Sequence, residues 1–246
     1  KKVFGSGYQF AKEKKIEIIS PSAFLKKPRL SDIIVVSGFP KLIPRQVIQS
    51  TRVATVNIHQ SLLPAYRGRH PLNWAIIKGE KFTGVTIHHL NENFDEGNII
   101  LQKKVKIAGN DTVMDLYWKT VEKGRELLGI FYKNAKKGNI KGFRQNPDLA
   151  TYFPPRKPRD GKIDWKEPAE NIHKLVRALT YPYPGAYFYS QGKKWVIEEA
   201  QVIGKGPTNS KVGKPVFHRG ACLVKTGSGF IKINRMRNKK LKEIKN

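Results

Sequence analysis

Apolar and polar positions follow two different rhythms along this chain. Near-continuous β-branched runs at 15–20, 33–36 and 53–58, each bounded by Pro, Ser, Gly or a polar residue, have the length and composition of buried strands. Between them, 42–49, entered through Pro44, and 71–78, with Pro71 in its first turn, carry helix signals. Residues 83–90 and 98–107 alternate branched and polar side chains in strand fashion. From Asp111, read as an N-cap, a helix with apolar Val113, Leu116, Val121, Leu128 and Phe131 runs to Lys137 and stops at Gly138. Strands apolar on both faces, alternating with helices, predict an α/β fold with a Rossmann-like, doubly wound parallel sheet.

The pattern then changes. Residues 139–162, rich in Pro, Lys, Arg and Asn, read as a linker, and 169–179 as a short helix. Strand-length pieces at 186–189, 194–199, 221–225 and 230–234, separated by Gly and Pro, predict a small OB-like β-barrel. The expected organisation is an α/β domain over 1–138, a linker over 139–162 and the OB-like domain over 163–246.

Composition narrows the setting. With 246 residues and 39% apolar content the chain supports one or two globular units and excludes collagen-like or disordered classes. Cys222 is the single cysteine, so no intramolecular disulfide forms, and no Cys/His cluster has zinc spacing. A reducing, cytoplasmic setting and metal-free chemistry are expected. No stretch reaches the ~20 apolar residues that a bilayer span needs, so no membrane insertion is expected. The chain opens on Lys1 rather than Met and lacks an opening strand, so it is expected to be a fragment without its N-terminus. The net charge is +28, from 47 basic and 19 acidic residues. Residues 51–100 are near neutral, with 5 basic and 4 acidic side chains, whereas 201–246 hold 12 and 1. Such a field attracts polyanions; a lysine bias of the genome is the alternative source.

The near-neutral block holds the candidate chemistry. Asn57 and His59, two apart at a strand end, project to the same side at the edge where open α/β sheets place ligands. An amide donates to an oxyanion and an imidazole exchanges a proton near neutral pH, so the pair suits attack on a carbonyl. A strand-end Asn in a turn beside a hydrogen-bonded His is the competing reading. Asp95, 36 residues beyond His59 and two before Gly97, either orients His59 or closes an ordinary Asx turn.

Asn57-x-His59-x-Ser61-Leu62-Leu63-Pro64, Arg67-Gly68-x-x-Pro71, Gly79-Glu80, Thr83-Gly84-Val85-Thr86 and Asp95-x-Gly97, taken in order, resemble the formyltransferases that use 10-formyltetrahydrofolate. The resemblance spans roughly 15–200 and implies that 1–138 is the catalytic domain, without the family's first strand and helix. It implies Asn57, His59 and Asp95 as the catalytic trio, with Asn57 and protonated His59 stabilising a tetrahedral oxyanion while Asp95 orients His59 and helps remove the amine proton. It implies folate contacts around 37–42 and 91–95, with Ser37, Gly38, Phe39, Leu42, Asn91 and Phe94 as candidates, and no metal. For the acceptor, Ala65 to Trp74, His88 and the Arg156-x-Pro158-x-Asp160 form are similar to the domain that formylates UDP-4-amino-4-deoxy-L-arabinose. Ser61, Arg69, Trp74 and Arg177 are its implied substrate contacts, with a surface or interdomain salt bridge as the competing reading of Arg177. The expected partner is a nucleotide-sugar acceptor; the alternative is initiator methionyl-tRNA, which would use the +28 charge. A homo-oligomer stays open. Two further readings are a deformylating hydrolase with a similar trio and a non-enzymatic nucleic-acid module on the basic C-terminal part, whose residues 201–246 carry only Phe217 and Phe230 as aromatics.

Overall fold

The computed structural model describes residues 7–218 and 220–239. Two short helices, Gly7–Glu13 (α1) and Pro21–Lys26 (α2), precede the strand Ser31–Ser37 (β1); the turn of helix Arg45–Ile48 (α3) leads to Thr51–His59 (β2). The two-residue strand Arg67–Gly68 (β3), the helix Pro71–Lys78 (α4), the strands Phe82–His89 (β4) and Ile99–Lys106 (β5) and the long helix Val113–Lys136 (α5) follow. Then come the two-residue strand Tyr152–Phe153 (β6), the helix Ala169–Ala178 (α6) and the strands Ala186–Ser190 (β7), Lys193–Ile203 (β8), Pro215–His218 (β9), Ala221–Lys225 (β10) and Phe230–Lys239 (β11). The expected domain ends at 1–6 and 240–246 lie outside the described residues.

The first sheet has the order β1-β2-β4-β5. Only β1 and β2 pair in parallel; β2/β4 and β4/β5 are antiparallel, so the sheet is mixed rather than uniformly parallel. For β4 and β5 the reason is chain length, because residues 90–98 are shorter than the dozen or more that a parallel crossover requires. The run at 15–20 is not a strand: Ile16 and Ile18 are exposed and no ladder reaches them, and a short apolar run alone does not specify pairing.

Helix α5 starts one residue later than the pattern suggested. Thr112 is its N-cap, in a capping box with Asp115, while Asp111 accepts from the Ala108 N–H at 2.7 Å and from Lys119 Nζ at 2.6 Å. The helix ends before Gly138, whose φ of +72° suits glycine. Its Leu127 and Phe131 pack with Ala54, Val56, Val85 and Ile87 of the sheet. Val113 and Leu116 join Leu72, Ala75 and Ile76 of α4 and Ala178 of α6 in a second cluster. Burying side chains of this size contributes about 1.5–3 kcal/mol each, which fixes helix against sheet.

The C-terminal strands form an antiparallel sheet of order β7-β8-β11-β10-β9. No ladder joins β7 to β9 among the described residues, so the expected barrel is an open sheet, covered on one face by Ile172 and Val176 of α6 against Phe188, Ile197 and Ile231. Segment 139–162 lies against the first sheet, with Phe143 bridged to Ile99 and β6 paired in parallel with β3. Asn73 Nδ2 of α4 donates to Ala178 O at 2.7 Å, tying α6 to the first domain. No helix among the described residues is long and apolar enough to cross a membrane.

Candidate active site

Asn57 and His59 leave the end of β2 on one face of the pleat, as their spacing requires. His59 is buried, and its Nε2–H donates to Tyr66 O at 2.8 Å. That bond places the proton of the neutral ring on Nε2 and leaves Nδ1 a lone pair. Tyr66 is itself pinned, its N–H donating to Thr151 Oγ1 at 2.8 Å and its ring stacked on Phe153 with centroids 4.7 Å apart.

Asp95 completes the group from the 90–98 loop. Its Oδ1 accepts from Asn57 Nδ2 at 3.3 Å and stands 3.6 Å from His59 Nδ1; its Oδ2 accepts from the Gly68 N–H at 2.9 Å. The residue has a φ of +57°, a left-handed conformation that Asp tolerates better than most side chains. Gln145 holds it there. Its Nε2 donates to Asp95 O at 2.7 Å and Gly97 O at 2.8 Å, while its Oε1 accepts from Arg67 Nε at 3.1 Å and Nη2 at 2.7 Å. Arg67 also reaches the Tyr152 hydroxyl and lies 3.5 Å from Glu96. A Cβ on Gly97 would come within 1.7 Å of His89 O, so only glycine fits that crossing of loop and strand.

Burial sets the protonation states. It pushes His59 below the usual imidazole value of 6.5, outweighing the Asp95 charge and the Tyr66 carbonyl, which pull upward, and assisted by His88. The neutral ring is therefore the resting form. For Asp95, burial pulls upward but is outweighed by the N–H groups and charge that His88 and His59 present in their protonated forms, in the acid range where a carboxyl titrates, and by the Gly68 N–H, so the carboxyl lies below its ordinary range and is ionised.

The trio opens onto a cleft of about 820 Å³. Ser37, Gly38, Phe39 and Leu42 form one wall, Asn91 and Phe94 another, and Arg69 lies between them; each of these predicted contacts lines the same space as Asn57, His59 and Asp95. Three predicted substrate contacts lie elsewhere. Ser61 is fully buried with Oγ donating to Ala65 O at 2.7 Å, which shapes the turn after β2. Trp74 donates through Nε1 to Pro154 O at 3.1 Å and packs between Phe153 and the Arg156 guanidinium, so it clamps segment 151–157. Arg177 lines a separate cavity beside β8 and β11 and donates to Asp111 O at 2.5 Å, which makes it an interdomain tie.

Other residues at the site are not evident from strand-end reasoning. Tyr117, Thr120, Val121, Gly124 and Leu128 of α5 line the cleft, and Val121, one of the apolar positions that marked the helix, is 37% exposed there. Their spacing shows one helix face, but not that the face borders a cleft instead of a core. Gln145 carried no signal, since one Gln in a polar segment is unremarkable. The charged side chains lining the cleft are Lys41, Arg69 and Arg125 against Asp95.

Comparison with known proteins places both domains. Residues 22–129 match the family model described as formyl transferase, and residues 156–246 match that described as formyl transferase, C-terminal domain. Among solved structures, HypX from Aquifex aeolicus in complex with tetrahydrofolic acid is 25% identical, with a TM-score of 0.69 over 89% of this chain and 37% of that chain. An N-formyltransferase from Helicobacter canadensis, in complex with folinic acid and dTDP-3-aminofucose, is 21% identical, with a TM-score of 0.74 over 94% of this chain and 83% of that one. A 4-N formyltransferase from Francisella tularensis is 24% identical, with a TM-score of 0.64 over 76% and 78%. The chain thus spans under half the length of the HypX chain that it matches.

Proposed function

This chain belongs to the formyl transferase family, and from that premise we propose that it transfers a formyl group from 10-formyltetrahydrofolate to the 4-amino group of a nucleotide-linked amino sugar. The observation that carries the reading is the meeting of Asn57, His59 and Asp95 at one carboxylate oxygen, at the floor of a cleft walled by segments 37–43 and 90–94. The cleft suits a folate. Phe39, Leu42 and Phe94 offer apolar surface, Leu42 and Phe94 each 47% exposed, and the Asn91 and Asn93 amides supply hydrogen-bonding groups beside them. When bound, the donor supplies an activated formyl carbon.

The chain's own groups then divide the work. Neutral His59 takes the proton of the attacking amine at Nδ1, because Nε2–H is committed to Tyr66 O. The imidazolium that results has Asp95 on one nitrogen and a carbonyl on the other, which stabilises its charge. Asn57 Nδ2 donates to the formyl oxygen as negative charge develops, an interaction worth roughly 10²–10³ in rate when a single such donor is removed. Asp95 orients His59, and the proton held there is returned to the departing folate nitrogen as its bond to the formyl carbon breaks, so that the N-formyl product and tetrahydrofolate leave and the neutral ring is restored. Lys41, Arg69 and Arg125 give the cleft mouth the charge that a nucleoside diphosphate needs.

The second reading, formylation of initiator methionyl-tRNA, is favoured by the +28 charge, since phosphate contacts dominate RNA affinity. The experiment incubates the full-length protein with 10-formyltetrahydrofolate and, in parallel, methionyl-tRNA or a panel of UDP- and dTDP-linked 4-amino sugars, and follows N-formyl product by mass. Product from a sugar alone supports the proposal; product from tRNA alone replaces it with the second reading. Formate released without any acceptor identifies a hydrolase.

A further inference from the structure

His88 is fully buried in β4, directly opposite Asn57 in the β2/β4 ladder, and the trio described above does not include it. Directly paired strand residues share a face, with Cβ atoms about 4.5–5.5 Å apart. The Nδ1–H of His88 donates to the His89 backbone oxygen at 2.8 Å, so the neutral ring presents a lone pair at Nε2. That nitrogen stands 3.2 Å from Asn57 Nδ2 and 3.6 Å from Asp95 Oδ1. The first distance is a hydrogen bond and the second exceeds one.

Asn57 thus has two acceptors for its two amide hydrogens, and one of them is contested. Asp95 Oδ1 faces both Asn57 Nδ2 and His59 Nδ1. When His59 takes up a proton, that carboxylate oxygen is drawn to the new charge and its long 3.3 Å bond to Asn57 weakens at the moment the amide is needed. An amide without an acceptor turns over freely, and a half-turn would place Oδ1 where Nδ2 must donate. We propose that His88 is a positioning residue for formyl transfer: its Nε2 lone pair holds the Asn57 amide with Nδ2 toward Asp95 and the reacting group throughout the proton transfer, leaving Asp95 free to follow His59. Oδ1 of a flipped Asn57 would meet that lone pair acceptor to acceptor, so the imidazole excludes the wrong orientation. A protonated Nε2 would exclude the right one.

The inference rests on the formyl-transfer reading for its kinetic arm only. His88→Gln, His88→Asn and His88→Leu are made in the full chain and compared with the wild type at saturating 10-formyltetrahydrofolate and UDP-4-amino-4-deoxy-L-arabinose, after circular dichroism has verified folding. Gln carries an amide oxygen about where Nε2 stands, whereas Asn reaches only the Nδ1 position. Gln is expected to keep kcat within about threefold of wild type, while Asn and Leu lower it roughly tenfold to hundredfold, the size of effect that small misplacement of a reacting group produces. KM for the folate is expected to stay within about threefold in all, because its wall residues are untouched. Wild-type kcat in Leu and Asn, or no advantage of Gln over Leu, overturns the proposal. A second measurement needs neither activity nor a variant: ¹⁵N NMR of the histidine rings at pH 7.5. The His88 ring is expected to carry a proton on Nδ1 and none on Nε2, as its bonds to His89 O and Asn57 Nδ2 require; a proton on Nε2 overturns it. A wild type that formylates no acceptor refutes the functional reading, and the NMR result still decides the tautomer on which His88 depends.

Discussion

Replacing Gln145 by Ala tests how the left-handed Asp95 is maintained. The side chain is 5% exposed and makes four hydrogen bonds, two to the carbonyls of Asp95 and Gly97 and two from the Arg67 guanidinium. Neutral bonds of this kind contribute about 1 kcal/mol each and bonds to a charged group about 1.5–3 kcal/mol. The space vacated is polar and admits a water, which recovers part of the sum. A loss of about 3–4 kcal/mol is expected, a large share of the roughly 5–15 kcal/mol that holds a domain folded. The catalytic effect is separate. Without the clamp the 95–97 backbone relaxes, and a carboxylate displaced by about 1 Å costs on the order of 10² in turnover. Gln145→Glu separates the two: it keeps an acceptor for Arg67 but sets oxygen against both carbonyls, so it should lose turnover as Ala does. Urea unfolding gives the stability term, and initial rates of N-formyl product well below the transition give kcat. An unfolding free energy within about 1 kcal/mol of wild type for Gln145→Ala, or an unchanged kcat, would refute the clamp.

Asn57→Ala should lower kcat about 10²–10³-fold with an unchanged fold, read by steady-state kinetics and circular dichroism. His59→Ala and Asp95→Ala should each remove most turnover, and near-normal rates in both would end the assignment of the trio. In an NMR titration the His59 ring should protonate below 6.5, and Asp95→Asn should move its midpoint further down, because the carboxylate is what pulls it upward; a midpoint at or above 6.5 contradicts the burial argument. By linkage, the stability that neutral His59 contributes is complete above about 6.5 and is lost as pH falls from there toward its folded midpoint, since the unfolded ring binds the proton first. Gly97→Ala, whose Cβ would sit 1.7 Å from His89 O, should depress both the melting temperature and kcat, and a wild-type pair of values would show the crossing to be looser than described.

Much of the site was legible in sequence because its elements are local. Asn57 and His59 share a face by the two-residue period of any strand, at the strand end where open α/β sheets place ligands, whereas the segment 37–42 was indicated only by the family resemblance. Pro71 marked the first residue of α4, and Gly138 the stop of α5. What stayed hidden depends on pairing between distant segments. Gln145 meets Arg67 across 78 positions, and Trp74 meets Pro154 across 80, so neither partner has a local signature. The resemblance implied Trp74 as a substrate contact, whereas its ring packs on Phe153 and Arg156 of the linker. The run at 15–20 failed for a related reason: a β-branched segment becomes a strand only where a neighbouring strand pairs with it, and no ladder reaches it among the described residues.

The departure from a parallel sheet is itself what builds the site. β4 runs antiparallel to β2 but is staggered: His89 opposes Val56 and Thr86 opposes His59, so β4 ends halfway down its partner, and Leu90 N–H already donates to Thr55 O. A loop leaving the sheet at that height, before the lower half of β2 is covered, can turn back up the face that carries Asn57 and His59. The hairpin into β5 forces it to do so, since Ile99 must return beside His88. Asp95 lies at the top of this excursion, fastened by Gly68 of β3 and by Gln145 from beyond α5. The same stagger sets His88 opposite Asn57. A parallel β4 would pair through slanted, evenly spaced bonds, and its outgoing chain would leave at the end of the sheet from which the 60–70 loop also departs. The carboxylate and the second imidazole would then no longer come from one hairpin registered on Asn57. The meeting of Asp95 and His88 with Asn57 thus follows from strand register, in which β4, buried from Thr83 to His88, sets His88 opposite Asn57 and Ile87 opposite Ile58.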